Sequence, residues 1–128
     1  MKAKDWIVFL GLGILMLAFS LHNALYIPLF TPADHWQWLT SETDVLDYIR
    51  YYFRVQGIWQ LGFAVMVLIT AVTGYRRRQL WAWYAMWSVP LVLVLVTLMM
   101  VWLIPITGLL IIAAAAALLL SRSQFSPA

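Results

Sequence analysis

Four long apolar stretches, separated by short polar or proline-containing segments, dominate the pattern of this chain. They predict transmembrane helices over about 6–27, 44–74, 81–102 and 106–120. Stretches of this kind are typical of helices that cross a hydrocarbon core of about 30 Å. We therefore predict an all-α fold, a single membrane domain formed by a four-helix bundle.

Prolines and a basic turn mark the ends of the predicted helices. Pro28 and Pro32 end the first helix, because proline cannot continue a helix and restrains the residue before it. The sequence before and into the first helix, MKAKDW, is also typical of the start of a signal peptide, but the apolar run that follows is long enough to span a membrane and we expect the helix to be retained. An outer loop over 28–43 follows it. The basic turn over 75–80, YRRRQL, joins the second and third helices, and Pro90 predicts a kink in the third.

Composition supports the membrane interpretation. Of the 128 residues, 65% are hydrophobic and 10% are charged, whereas an ordinary soluble domain is roughly half apolar and a quarter charged. A soluble protein of this length has too little interior for so much apolar surface, so lipid is the expected solvent. The chain has no cysteine, which argues against disulfide and thiolate chemistry of the kind that quinone-linked disulfide oxidases use.

Charged residues are distributed unevenly between the two sides of the predicted bundle. One side holds Lys2, Lys4, Arg76, Arg77, Arg78 and Arg122, and the other holds Asp34, Glu42, Asp44 and Asp47. The positive-inside rule then places both termini in the cytoplasm. We expect a multi-pass protein of the plasma (inner) membrane, and we interpret its basic residues as topology signals and not as a nucleic-acid surface.

A layer of polar residues falls inside the spans, toward their outer ends. It consists of Ser20, His22, Asn23, Gln56, Gln60, Thr97 and Thr107. At about 1.5 Å per residue, most of these lie about 20 to 27 Å from the cytoplasmic ends of their helices. Two interpretations are open. The side chains either hold the helices together through hydrogen bonds, or line a pocket that opens to the outer face.

A charged stripe lies further out on the second helix. Asp47, Arg50 and Arg54 share one helical face, because they are three and four residues apart. The two arginines lie about 30 to 36 Å along the helix, at or beyond the edge of the hydrocarbon. Three interpretations are open: a salt-bridged stripe that meets lipid phosphates, an anion or headgroup site that faces the bundle and rims an opening, or a charged face toward a partner subunit. The candidate ligand-binding residues are therefore His22, Asn23, Gln56, Gln60, Trp59, Arg50, Arg54 and Asp47.

Recognised catalytic and transport motifs are absent from the sequence. It contains no HExxH, no Gly-rich phosphate loop and no nucleophile elbow. No acidic residue lies in the interior of a span, whereas proton-coupled small multidrug transporters depend on a membrane-embedded glutamate. Because His35 lies in the loop, bis-histidine haem ligation with His22 is not expected inside the bundle, whereas single axial ligation of haem or a chlorophyll-type pigment by His22 is left open. The sequence thus supports no enzymatic activity, identifies no cofactor, and predicts neither catalytic residues nor a metal site.

Two short segments resemble a known group of proteins. The second helix contains R-x-x-x-R-x-x-G over 50–57, and the basic turn is followed by WAWY over 81–84. Together with the order of helices and loops, these segments resemble small four-span bacterial membrane proteins of the DoxX-like type and related families of uncharacterised function. The resemblance implies a link to redox partners and quinone pools, and it transfers no catalytic residue.

Three functions fit these observations. The first is binding of a lipid, quinone or similar amphiphile in an outer-leaflet polar pocket. The second is an accessory subunit or assembly factor of a larger membrane complex, which the small size and the eight tryptophans favour. The third is a small oligomeric transporter or channel. In each case we expect membrane lipids as partners, either a homo-oligomer or a larger membrane complex as the assembly, and no nucleic acid.

Overall fold

The structure, a computed structural model, describes residues 4–25, 42–99, 101 and 104–125. These residues form α-helices joined by short turns, with no β-strand among them. The helices are α1 (Trp6–Leu25), α2 (Thr43–Thr70), α3 (Leu80–Met86), α4 (Ser88–Met99) and α5 (Ile104–Ser121). A π-helical turn over Ala71–Tyr75 continues α2, and a 3₁₀ turn over Arg122–Gln124 follows α5.

The described residues contain four helical stretches that are long and apolar enough to cross a membrane. They are Trp6–Leu25, Thr43–Tyr75, Leu80–Met99 and Ile104–Gln124. The prediction of an all-α chain with four such helices is confirmed. Most of the predicted outer loop, over 28–41, lies outside the described residues, as do positions 26–27, 100 and 102 of the predicted spans.

The chain divides into two compact units. Unit 1 comprises Met1–Gly13 and Met66–Ala128, and unit 2 comprises Ile14–Val65. Helices α1 and α2 each contribute residues to both units.

Unit 1 contains the antiparallel pair of α4 and α5. Near one end of the pair, the Thr97 hydroxyl donates a hydrogen bond to Thr107 Oγ1 at 2.7 Å. Toward the other end, Trp83 Nε1, which belongs to α3, donates to the Leu118 carbonyl oxygen at 2.9 Å. Ala114 is fully buried on α5, where its small side chain allows close approach of neighbouring helices.

The third membrane-length helix is interrupted at Trp87, between α3 and α4. Pro90 explains the interruption, because proline lacks an amide hydrogen and its ring clashes with the carbonyl group four residues earlier, that of Met86. The chain tightens locally, and the Trp87 amide donates to the Tyr84 carbonyl oxygen at 3.2 Å. The kink predicted from Pro90 therefore lies about one turn before the proline.

The π-helical turn at the end of α2 brings the chain against α3. In this turn the Arg76 amide donates to the carbonyl oxygen of Ala71, five residues earlier, at 2.9 Å, whereas an α-helix bonds to the residue four earlier. Gly74 permits the contact, since a Cβ atom there would lie 2.5 Å from Trp81 Cζ2 and 2.6 Å from Ala82 Cβ. Arg78 then reverses the chain with a φ of 61°, in the left-handed region that few side chains adopt.

Both units expose large apolar side chains. In unit 2 these include Phe19, Leu25 and Ile58, each more than half exposed, and in unit 1 Leu98 and Leu109 are each 70% exposed. Apolar surface of this extent is unfavourable in water and marks contact with lipid or with another protein. The outward faces therefore agree with the membrane interpretation of the spans.

Candidate functional site

Unit 2 is organised around a close contact of α1 and α2 at Gly57. A Cβ atom on residue 57 would lie 2.2 Å from the Ala24 nitrogen and 2.7 Å from Ala24 Cα. No side chain larger than hydrogen fits in that space, so glycine is what lets the two backbones meet. The contact places the polar residues that neighbour Ala24 on α1 directly against α2.

Three of the predicted site residues form a hydrogen-bonded chain at this contact. Asn23 Nδ2 donates to Gln60 Oε1 at 3.0 Å, and Asn23 Oδ1 lies 3.2 Å from His22 Nδ1. Asn23 is only 5% exposed. Such bonds contribute about 0.6 kcal/mol on average in membrane proteins, because the unfolded chain in lipid also finds partners. These hydrogen bonds join α1 to α2 and hold the side-chain amide of Gln60 in one orientation.

The side-chain amides of Gln56 and Gln60 on α2 have donors or acceptors that the bonds among His22, Asn23 and Gln60 do not use. The Gln60 oxygen is used by Asn23, but within the described part of the chain its NH₂ group makes no bond. The Gln56 amide likewise has no hydrogen-bond partner among the described residues. Gln56 precedes Gln60 by four residues, so the two lie on one face of α2, and both are half-buried. This face therefore presents donors and an acceptor to whatever lies beside it.

The charged stripe lies on the preceding turns of α2. Arg50 and Asp47 form a salt bridge at 2.8 Å, with side chains 37% and 61% exposed. A pair this exposed contributes between zero and about 1 kcal/mol. Arg54 is exposed and takes part in no ion pair with the described residues. Trp59 is 78% exposed and lies on the outward side of the helix.

An apolar notch opens on the first turns of α2. Its volume is about 360 Å³, and among the described residues Tyr48, Ile49, Tyr52 and Phe53 line it. Tyr52 precedes Gln56 by one helical turn. The amide face of α2 is thus continuous along the helix with an aromatic surface.

The remaining members of the predicted polar layer are bonded elsewhere. Ser20 is fully buried and donates to the Leu17 carbonyl oxygen of its own helix at 2.8 Å. In unit 1, Thr97 donates to the Leu93 carbonyl oxygen at 2.7 Å and also to Thr107. Thr97 and Thr107 thus join α4 to α5, whereas Ser20 bonds within α1.

A polar cluster that the sequence did not predict lies in unit 1, around Tyr75. Tyr75 is fully buried, and its hydroxyl lies 2.7 Å from Ser121 Oγ and donates to Asp5 Oδ2 at 3.3 Å. The rings of Phe9 and Phe125 flank it, with centroid distances of 4.9 Å and 4.7 Å. We call Asp5, Tyr75, Arg78, Ser121 and Phe125 the Tyr75 cluster.

An ion pair closes the Tyr75 cluster. Arg78 Nη1 and Nη2 donate to the two carboxylate oxygens of Asp5 at 2.7 Å and 2.5 Å. The two side chains are 21% and 15% exposed, so the pair is more sheltered than that of Arg50 and Asp47. Bidentate arginine–carboxylate pairs of this kind are stronger and more directional than single contacts. The start of α1, the turn after α2 and the end of α5 are thereby tied together.

The ion pair shifts the pKa of both partners. Burial alone would raise the pKa of Asp5, but the hydrogen bonds and positive charge of Arg78, with help from a backbone hydrogen bond and Tyr75, together lower it below its ordinary value of 3.8. The hydrogen bonds that Arg78 donates to Asp5 are the main cause that raises the pKa of Arg78, against the opposing effect of its burial. Both groups are therefore held in their charged forms.

Sequence reasoning missed this cluster because Asp5 lies 70 residues before Tyr75 and 73 residues before Arg78 in the chain. Asp5 stands between Lys4 and Trp6, and Arg78 ends a run of three arginines. Arg78 was interpreted as a topology signal, and no role was predicted for Asp5. An aspartate inside an otherwise basic flank was the available sign that one arginine is paired.

No family model matches this chain, and neither a curated protein nor a solved structure matches it. Its function is therefore inferred from the placement of its own residues.

The contact at Gly57 predicts a strong size limit at that position. Gly57→Ala should lower the free energy of unfolding by about 1–3 kcal/mol, the usual cost of overpacking, because α1 and α2 must separate. Gly62→Ala is the matched control, since no atom lies within 4 Å of a Cβ placed on that residue of the same helix. Reversible unfolding in mixed detergent micelles measures both, and equal effects would contradict the contact.

The Asp5–Arg78 pair predicts a dependence of stability on pH. Because the folded state lowers the pKa of Asp5 below 3.8, the pair stabilises the protein fully above that value, and its contribution is lost as pH falls through the folded pKa. Asp5→Asn should therefore unfold at a lower temperature than the wild type near neutral pH, and the difference should narrow below about pH 4. Thermal unfolding followed by tryptophan fluorescence tests this. A difference that is constant over the whole range would contradict it.

Proposed function

We propose that this is a multi-pass protein of the plasma (inner) membrane that binds a lipid, quinone or similar amphiphile beside Gln56 and Gln60. One observation supports the proposal. Both amides are half-buried on a helix long and apolar enough to span a membrane, and they keep hydrogen-bonding groups without a partner among the described residues. Hydrocarbon offers no hydrogen bonds, so such groups are costly unless something polar meets them. The carbonyl or hydroxyl oxygen of an amphiphile meets that requirement.

The hydrogen-bonded chain on α1 prepares the site for such a ligand. Asn23 donates a hydrogen bond to the Gln60 side-chain oxygen, and His22 contacts Asn23. The NH₂ group of Gln60 is therefore directed away from Asn23 and His22. A donor held in place before binding loses little conformational freedom when the ligand arrives, which favours affinity. His22 and Asn23 are therefore positioning residues in this proposal, and Gln56 and Gln60 contact the ligand.

The outer turns of α2 suit the polar end of an amphiphile. Arg54 is exposed and lies about 9 Å along the helix axis from Gln60, at 1.5 Å per residue. Its long side chain suits a headgroup or a ring substituent, while the exposed ring of Trp59, three residues after Gln56, suits an acyl or isoprenoid chain. The resemblance to DoxX-like proteins favours a quinone within this class.

The proposal includes an orientation in which both termini lie in the cytoplasm. In unit 1 the Tyr75 cluster gathers the start of α1, the turn after α2 and the end of α5. The basic residues of these three segments therefore belong to one end of the unit, and the positive-inside rule assigns that end to the cytoplasm.

Thiol labelling tests the orientation without background, because the chain has no cysteine. Ser123→Cys and Asp44→Cys are both at exposed positions. In sealed right-side-out membrane vesicles, a membrane-impermeant maleimide should label Asp44→Cys at once and Ser123→Cys only after permeabilisation. The opposite pattern would reverse the assigned orientation.

Binding of a short-chain ubiquinone analogue tests the function. In nanodiscs the analogue should quench tryptophan fluorescence in a saturable way, and Gln56→Leu should weaken its binding at least tenfold, about 1.4 kcal/mol. Gln56 has no hydrogen bond to other described residues, so this change should leave the unfolding temperature unaltered. Gln60→Leu should weaken binding equally and also cost some stability, because it breaks the bond to Asn23.

Thr73→Val is the matched control for these variants, since its hydroxyl donates to the Ile69 carbonyl of its own helix at 2.7 Å. It should bind like the wild type. Saturable binding that is unchanged in Gln56→Leu and Gln60→Leu would contradict the site. Absence of quinone and phospholipid binding, together with a stoichiometric partner protein after purification in mild detergent, would favour the accessory-subunit function instead.

A further inference from the structure

The basic end of unit 1 has a composition of its own. The unit contains six basic side chains, Lys2, Lys4, Arg76, Arg77, Arg78 and Arg122, and one acidic side chain, Asp5. Arg78 is paired with Asp5. Lys4, Arg76, Arg77 and Arg122 are exposed, and none of these four forms an ion pair with the described residues. A concentrated positive charge is therefore left at the surface.

Two of these arginines are stacked on tryptophan rings. The Arg76 guanidinium lies 5.1 Å from the ring centroid of Trp6, and that of Arg122 lies 4.9 Å from the ring centroid of Trp83. A guanidinium over an aromatic face is attracted by the ring and keeps the N–H donors on its edges. Those edges match the oxygen atoms of a phosphate group.

The Tyr75 cluster keeps the two stacked pairs at one end of the unit. Arg76 follows Tyr75 in the chain, Arg122 follows Ser121, and Trp6 follows Asp5, so each is covalently next to a member of the cluster. The cluster itself is closed by the bonds of Tyr75 to Asp5 and Ser121. Residues from three distant parts of the sequence thus present their cations together.

The depth of these residues indicates the partner. Trp6 is the first residue of the membrane-length helix Trp6–Leu25, and Trp83 lies in the first turn of Leu80–Met99. Tryptophans at the ends of spans lie at the level of lipid headgroups. The arginines stacked on these tryptophans therefore lie at the headgroup level, where the available phosphate groups belong to lipids. The exposed apolar faces of the neighbouring helices can contact the acyl chains of those lipids. A soluble polyanion has no apolar part that could contact these exposed apolar faces.

We propose that this end of unit 1 is a binding surface for the headgroups of anionic phospholipids. The stacked guanidinium groups of Arg76 and Arg122 bind lipid phosphate oxygens, and Arg77 and Lys4 add charge. This surface is separate from the amphiphile site at Gln56 and Gln60, and either can exist without the other.

Lipid-dependent thermal stabilisation of the full chain in a neutral detergent tests the proposal. Cardiolipin should raise the unfolding temperature more than phosphatidylcholine does, and inorganic phosphate at the same concentration of phosphate groups should not raise it. In the double variant Arg76→Gln, Arg122→Gln, the cardiolipin concentration for the half-maximal effect should rise at least tenfold. The double variant Arg76→Lys, Arg122→Lys keeps the charge but loses the planar stacked group, and it should also need several times more cardiolipin.

Matched controls separate this surface from the rest of the protein. The double variant Arg50→Gln, Arg54→Gln removes the same charge from α2 in unit 2, and it should shift the half-maximal cardiolipin concentration less than Arg76→Gln, Arg122→Gln does. Thr73→Val alters a side chain outside both proposed sites, whose hydroxyl bonds within its own helix, and it should respond to cardiolipin like the wild type. Native mass spectrometry of wild type and variants gives a second measure that does not depend on thermal stability.

Three results would overturn the proposal: equal stabilisation by phosphatidylcholine, an unchanged response in the glutamine variant, or a lysine variant that behaves like the wild type. The last would show that charge alone attracts the lipid and that the stacked pairs form no site.

Discussion

A helix in hydrocarbon has no water to bond its polar side chains, and this constraint organises the structure. Asn23 meets Gln60, Thr97 meets Thr107, and the Tyr75 hydroxyl meets Asp5 and Ser121. The bonds of Asn23 and Tyr75 join segments that are distant in sequence, and the bond between Thr97 and Thr107 joins the adjacent helices α4 and α5. The bonds of Asn23 and Tyr75 are accompanied by a local feature of the backbone that allows close approach. Where a polar group lacks a described partner, as at Gln56, the same constraint makes it a candidate for contact with a ligand.

Glycine and the π-helical turn supply the close approach. Gly57 lets the backbones of α1 and α2 meet, which brings Asn23 within reach of Gln60. In unit 1 the wider turn over Ala71–Tyr75 and the close packing of Gly74 against α3 accompany the burial of Tyr75. Such turns are rare and occur often near functional positions, because they alter the direction of the side chains that follow. Here the turn leads into Arg78, which closes the ion pair with Asp5.

The two proposed sites use opposite chemistry. The amides at Gln56 and Gln60 are neutral groups within a span, so they suit the carbonyl or hydroxyl oxygens of an uncharged or weakly polar group. Arginines that are stacked on tryptophans at the starts of spans suit a phosphate, which carries its charge at the interface. Both kinds of group occur in membrane amphiphiles, so a protein of 128 residues with little extramembrane mass can interact with lipid through either.

The apolar pattern by itself determined that the chain is all-α with four membrane-length helices, because length and hydropathy are properties of contiguous residues. It also identified His22, Asn23 and Gln60 as polar residues inside spans, although not that Asn23 bonds to both of the others. Tertiary structure alone decided that Ser20, Thr97 and Thr107 are bonded elsewhere, and that Asp5, Tyr75, Arg78 and Ser121 form a cluster. Those pairings depend on which helix faces meet, and a contact between residues 70 positions apart leaves no periodic trace in the sequence.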